Sequence, residues 1–121
     1  MKLQSVSVVM LGVKDLSNSL AFYRDQLGLT VKQEIPGFAF LDGGSVMLGL
    51  SQGLARVSEP NIVGATEVVF GVESVKGAYA DLKARGVSFL NEPRVVSPPM
   101  WAAAFTDPDG HRLSVYGPEG A

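Results

Sequence analysis

Residues 11–16 read Leu-Gly-Val-Lys-Asp-Leu, and residues 70–75 read Phe-Gly-Val-Glu-Ser-Val, 59 positions further along the chain. Each stretch joins the end of an apolar, β-branched segment to a side chain that can cap a helix, Asp15 in the first and Ser74 in the second. A strand followed by a helix start at the same spacing predicts that one supersecondary module occurs twice in the chain.

The sequence after each cap repeats as well. Apolar residues with helical spacing lead to Gly28 in the first half and to Gly86 in the second, and a glycine at that place is typical of a helix end. Three strand-like segments then follow in each half. In the first half they are residues 30–35, 38–41 and 45–51, and in the second half residues 87–90, 100–106 and 111–116.

Residues 52–64 separate the two halves and show no periodicity, so they are interpreted as a linker. A repeat of about 60 residues is longer than a solenoid unit and fits a module that packs one helix on a small sheet. The sequence therefore predicts a single α+β domain, residues 1–121. Module one is placed at residues 1–52, the linker at 53–64 and module two at 65–121.

Composition narrows the function classes. The 121-residue chain is 46% hydrophobic and 18% charged, which suits a folded domain, and its net charge of −2 without a basic run argues against a nucleic-acid partner. The absence of cysteine excludes disulfides and thiolate metal sites and fits a cytoplasmic protein. Residues 1–13 are interpreted as a strand and not a signal peptide, and no apolar run reaches the ~18 residues of a membrane helix, so no membrane partner is expected.

Five short motifs follow one another in a fixed order. They are Val-Lys-Asp-Leu at 13–16, Ser-Leu-Ala-Phe-Tyr at 19–23, Leu-Gly-Leu at 27–29, Ala-Asp-Leu-Lys-Ala-Arg-Gly-Val at 80–87 and Phe-Thr-Asp-Pro-Asp-Gly-His at 105–111. Together they resemble the vicinal oxygen chelate superfamily, which includes glyoxalase I, extradiol dioxygenases and bleomycin-resistance proteins. The resemblance implies paired βαβββ modules, a cupped eight-stranded mixed sheet with helices on its outer face, and a homodimer.

The same resemblance raises the question of a metal. Metal-dependent members carry one ligand on the first and one on the last strand of each module. The matching positions here are Val8, Leu48 or Gly49, Glu67 and Ser114. Only Glu67 is a usual ligand, and the single histidine, His111, cannot supply a two-histidine iron site. The sequence predicts no metal and no cofactor, with a weak hard-cation site at Glu67 as the open alternative.

Strand alternation predicts which side chains face away from the helices and into a groove. Glu67 is the most informative of them, because a carboxylate among apolar neighbours needs a partner. It is expected either to pair with Arg112 on a neighbouring strand, or to serve as a counter-charge for a cationic ligand or as the general base of an enzyme. The other groove-facing residues from this argument are Arg112, Ser114, Tyr116, Val69, Val8 and Met10.

Trp101, the only tryptophan, is expected either to pack in the core or at a dimer contact, or to stack on a flat ligand. His111 and the aspartates before it are interpreted as turn residues. Further apolar candidates for the ligand-binding wall are Phe38, Phe40, Met47 and Leu48.

The predicted function is a metal-independent small-molecule binding protein of the glyoxalase/bleomycin-resistance type, which sequesters an aromatic or cationic ligand in a groove of a homodimer. One alternative is a divergent lyase, isomerase or dioxygenase-like enzyme with Glu67 as base. Another is a regulatory or interaction module without a small-molecule ligand. The sequence leaves open whether the two modules pair within one chain or exchange between two.

Overall fold

A computed structural model describes residue 1, residues 6–57 and residues 66–121. The chain forms two compact units, Met1–Pro60 and Asn61–Ala121. Part of the predicted first strand, which included residues 4 and 5, and most of the predicted linker lie outside the described residues.

The first unit contains one four-stranded sheet in the order β1-β4-β3-β2. The first strand runs parallel to the last, and the other neighbours are antiparallel. The helix between β1 and β2 begins as a regular α-helix and widens into a π-helical segment, Ala21–Gln26, in which the Leu27 N–H donates to the Phe22 carbonyl 2.9 Å away. The elements are β1 Val8–Gly12, α1 Leu16–Leu20, β2 Val31–Ile35, β3 Phe38–Asp42, β4 Met47–Ser51 and α2 Gln52–Val57.

The second unit repeats this plan with the strand order β5-β8-β7-β6, again with its first and last strands parallel. The predicted α+β class and the repeated βαβββ order are thus confirmed. The elements are β5 Glu67–Gly71, α3 Val75–Ala84, β6 Arg94–Ser97, β7 Met100–Thr106 and β8 Arg112–Pro118.

Both helix starts and helix ends follow the repeated residues. The Asp15 carboxylate accepts from the Ser17 N–H at 2.9 Å, and the Ser74 hydroxyl accepts from the Gly77 N–H at 2.9 Å. Gly28 and Gly86 have φ angles of 83° and 92°, a left-handed backbone that a side chain would strain. The local signals that repeat in the sequence therefore set the helix boundaries in both units.

One face of each sheet is buried against its helices. In the first unit this core contains Leu11, Tyr23, Leu41, Leu48 and Leu50 among others, each less than a twentieth exposed. In the second unit it contains Val75, Ala103, Phe105, Leu113 and Val115. The opposite face of each sheet keeps its side chains at least partly exposed over much of its area, which makes that face available for a ligand.

Two sequence-based assignments are wrong. Residues 87–90 form only an isolated bridge, Phe89 to Phe105, and the strand that pairs with β7 is Arg94–Ser97. The predicted strand cannot extend because Pro93 lacks an N–H, and the β-branched pair Val95-Val96 continues the sheet beyond it.

The linker also begins with a helix, Gln52–Val57, where no structure was predicted. The Ser51 hydroxyl accepts from the Leu54 N–H at 3.1 Å, and the Gln52 side chain accepts from the Leu16 N–H at 2.8 Å. Gly12 has no side chain, so the backbone of Ala55 lies directly against β1. Tertiary contacts rather than periodicity stabilise this short helix. Among the described residues, no helix is long and apolar enough to cross a membrane.

Replacing Asp15 with alanine removes the acceptor for the first N–H groups of α1. We expect the free energy of unfolding to fall by about 1 kcal/mol, measured by urea denaturation. Asp25→Ala is the matched control, because that carboxylate is exposed and pairs with the neighbouring Arg24. Equal stability of Asp15→Ala and the parent chain would contradict the capping role.

Candidate functional site

A cavity of ≈ 190 Å³ opens on the face of the second sheet that lies opposite α3. Small residues of β7, Ala102 and Ala104, form its bottom, while longer side chains from the neighbouring strands surround them. Apart from these alanines and Ala103, the lining residues are Glu67 and Val69 of β5, Arg112, Ser114 and Tyr116 of β8, Arg94 and Val96 of β6, and Asn91.

The β5–β8 register explains why the polar residues meet. Parallel pairing aligns Glu67 with Arg112 and Val69 with Ser114, and alternation sends all four side chains to the cavity face. Leu113 and Val115 point to the buried side, where they are at most 3% exposed. Glu67, Arg112, Ser114 and Tyr116 therefore all line the cavity.

Glu67 and Arg112 form an ion pair, with 2.5 Å between the Arg112 Nε and the Glu67 Oε2. The two side chains are 35% and 51% exposed, so water screens the pair and its contribution to stability is small. The pair matters more for the chemistry of the site, because the Arg112 guanidinium already occupies one oxygen of the Glu67 carboxylate. Of the readings left open by the sequence, the structure favours the ion pair.

The remaining polar groups of the cavity differ in whether they already form hydrogen bonds within the protein. The Asn91 amide accepts from the Ala104 N–H at 3.0 Å and donates to the Glu92 carbonyl at 2.7 Å, so it anchors the cavity wall to β7. Ser114 is 5% exposed, and the described residues provide no hydrogen-bond partner for its hydroxyl. Tyr116 stands at the rim, 36% exposed. Ser114 and Tyr116 can therefore donate to a ligand.

Arg94 and Val96 were not predicted as site residues. Both lie on β6, Arg94–Ser97, whereas the sequence pattern predicts the corresponding strand at residues 87–90. The available signal was the pair of valines between Pro93 and Pro98, which is typical of a short strand bounded by prolines.

The first unit has its own exposed apolar face. The Met10 side chain lies over Gly49, where a Cβ would collide with its sulfur, and it also borders Phe40. The Phe38 and Phe40 rings meet edge to face with 4.8 Å between their centroids. Val8 and Met47 are paired in register and face the same side. Five of the predicted wall residues therefore share this face: Val8, Met10, Phe38, Phe40 and Met47.

Two predicted wall residues lie elsewhere. Leu48 is 3% exposed and belongs to the core on the opposite face of the first sheet, because it alternates with Met47. Trp101 alternates with Ala102 and lies on the α3 side of the second sheet, where the Lys76 Nζ is 5.4 Å from the centre of its ring. Neither side chain faces the cavity side of its sheet, which removes both from the predicted ligand-binding wall, because alternation directs them to the helix-covered faces.

Asp107 forms the turn before β8, as predicted. Its carboxylate accepts from the Asp109 N–H at 3.0 Å and from the His111 N–H at 2.8 Å, while its own N–H donates to the His111 carbonyl. Asp107 is 5% exposed. Neither Asp107 nor His111 lines the cavity, and both serve to position β8.

The residues at the metal-ligand positions implied by the family do not fit a metal. In the first unit, Val8 pairs with Met47 as Glu67 pairs with Arg112 in the second, so Gly49 and not Leu48 corresponds to Ser114. Val8 and Gly49 have no side-chain atom that could bind a metal, and the Glu67 carboxylate is paired with the Arg112 guanidinium. Within the described ranges, no three His, Cys, Asp or Glu side chains are grouped as a metal site.

Three comparisons with known proteins agree with this architecture. The chain is 30% identical to the uncharacterized protein YraH of Bacillus subtilis (strain 168), over 86% of this chain and 91% of that protein. A crystal structure of a glyoxalase/bleomycin resistance protein/dioxygenase from Nocardioides matches with a TM-score of 0.79 and 26% identity, over 98% of this chain and 85% of that one.

Two further crystal structures share the fold at lower identity. One is the antibiotic binding protein TnmS3 from Streptomyces sp. CB03234, with a TM-score of 0.79 and 22% identity over 98% of both chains. The other is lactoylglutathione lyase from Agrobacterium tumefaciens, with a TM-score of 0.78 and 20% identity over 97% of this chain and 96% of that one. A family model matches residues 5–115, and the chain belongs to the Glyoxalase/Bleomycin resistance protein/Dioxygenase superfamily.

Proposed function

We propose that this protein binds a small, flat organic molecule on the exposed face of its second sheet and does not transform it. The observation that carries the proposal is the Glu67–Arg112 ion pair, because it neutralises the one usual metal ligand among the four family ligand positions. An ion-paired Glu67 carboxylate suits recognition of a small molecule. It holds the Arg112 guanidinium in place and leaves no uncompensated charge among the apolar residues of the cavity.

The shape and lining of the cavity support binding of a flat molecule. Ala102 and Ala104 form a shallow bottom that a ring can lie against, and Val69 and Val96 offer apolar edges. Ser114 and Tyr116 add two hydroxyl groups at different depths. Apolar walls with a few placed polar groups are the general character of a small-molecule site. An aromatic body fits this lining better than a cation does, because Arg112 already serves as the partner of Glu67.

The two related structures of known type do not decide between binding and catalysis. One is named an antibiotic binding protein and the other a lyase, and both have the fold of this chain. The alternative of an enzyme with Glu67 as general base is disfavoured by the ion pair, because the Arg112 guanidinium engages one of the two carboxylate oxygens. His111 follows the β7–β8 turn, where its backbone N–H donates to Asp107, and it is not among the residues that line the cavity.

We further propose that the protein works as a homodimer. The cavity of ≈ 190 Å³ is smaller than the roughly 300–1,000 Å³ of a drug-sized ligand site. Val69 and Val96, at its edges, are about half exposed, at 52% and 47%. A second copy of the chain would cover these valines and deepen the site.

Replacing Ala102 with tryptophan fills the bottom of the cavity. We expect the parent protein to bind cinnamamide, a flat uncharged probe, with a dissociation constant of about millimolar or tighter, as measured by saturation-transfer NMR titration. Ala102→Trp should weaken that binding by about tenfold or more, because the indole occupies the space of the probe.

The control for this experiment is Ala80→Trp, which adds the same side chain at an exposed position of α3. It should bind the probe as the parent does. Equal binding by the Ala102 and Ala80 variants would place the ligand elsewhere and contradict the proposed site.

The dimer is tested by sedimentation equilibrium at micromolar protein concentration. A homodimer gives twice the chain mass of 12.8 kDa. A double substitution of Val69 and Val96 by lysine should shift the mass toward one chain, because it places charges on the surface to be covered. A parent protein that sediments as a single chain would contradict the proposal.

A further inference from the structure

We infer that the ligand carries one carboxylate group, and that Arg94 together with Tyr116 holds it above Ala102. This inference rests on the proposed function and names the chemical class of its ligand. It comes from the placement of these three residues on neighbouring strands of the second sheet.

The register places the three side chains in one row. Arg94 pairs with Ala102, and Ala102 pairs with Tyr116, so the row crosses β6, β7 and β8 on the cavity face. Neighbouring strands are about 4.8 Å apart, which separates the two outer backbones by roughly 10 Å. A methyl group stands between a guanidinium and a phenol, and the space above it is bordered by hydrogen-bond donors on both sides.

The charge balance of the lining points to an anion. One carboxylate, Glu67, stands against two guanidinium groups, Arg94 and Arg112. Arg112 pairs with Glu67, and the described residues give the Arg94 side chain no ion-pair partner. The cavity therefore has an excess of one positive charge, located at Arg94. A single negative charge on the ligand would balance it, whereas a dianionic phosphate would not.

The geometry of arginine favours a carboxylate in particular. The guanidinium group is planar and offers two parallel N–H donors to the two oxygens of a carboxylate. The Tyr116 hydroxyl can donate to the same group from the other side of Ala102. The flat remainder of the ligand then extends over Ala104 toward Ser114, which pairs with it in the next row.

The experiment compares three probes of the same flat body that differ only in charge: cinnamate, cinnamamide and protonated cinnamylamine. Affinities are measured by saturation-transfer NMR titration at pH 7 and low salt. In the parent protein we expect cinnamate to bind about five- to tenfold more tightly than cinnamamide, with the amine weakest.

Arg94→Gln should reduce the ratio of cinnamate to cinnamamide affinity to about one. Arg85→Gln is the matched control and should keep the preference. It changes the net charge equally, and Arg85 lies at the C-terminal cap of α3, where it pairs with Asp81. Tyr116→Phe, which leaves the charge unchanged, should lower cinnamate binding alone by a few-fold.

The failures of the two proposals are distinguishable. If the three probes bind equally, if the amine binds best, or if the preference survives in Arg94→Gln, the carboxylate inference is overturned and small-molecule binding stands. If none of the probes binds the parent protein, the proposed function fails and this inference fails with it.

Discussion

The pairing of the first strand of each unit with its last strand, parallel and in fixed register, is the constraint on which the candidate site depends. In the second unit this register places Glu67 beside Arg112 and Val69 beside Ser114. Because side chains alternate along a strand, all four reach the same face. The capped helix α3 covers the other face, so the polar residues and the cavity are confined to one side of the sheet.

The same pairing in the first unit produces a different surface. Val8 and Gly49 stand where Glu67 and Ser114 stand in the second unit, and Met10 lies over the glycine. This face is apolar and offers no donor at those two positions. One module thus carries the charged and hydroxyl groups while its repeat carries methionine and phenylalanine side chains.

Local sequence signals predicted the repeat, the helix caps and the orientation of Glu67, Arg112 and Ser114, because capping and alternation depend on neighbouring residues. The positions of β6 and α2 were not predictable in the same way. Strand β6 forms by pairing with the free edge of β7. Helix α2 is stabilised by the hydrogen bond from Leu16 to Gln52 and by the close approach of Ala55 to Gly12. Arg94 was not among the predicted site residues for the first reason, although it lines the cavity from β6.

The proposed function requires that the Glu67–Arg112 pair takes the place of metal coordination on the cavity face. The decisive measurement is elemental analysis by plasma mass spectrometry of protein purified without chelators. We expect iron, nickel, zinc and manganese at far less than one atom per chain, unchanged in Glu67→Gln. Close to one atom of any of these metals per chain, lost in Glu67→Gln, would contradict it.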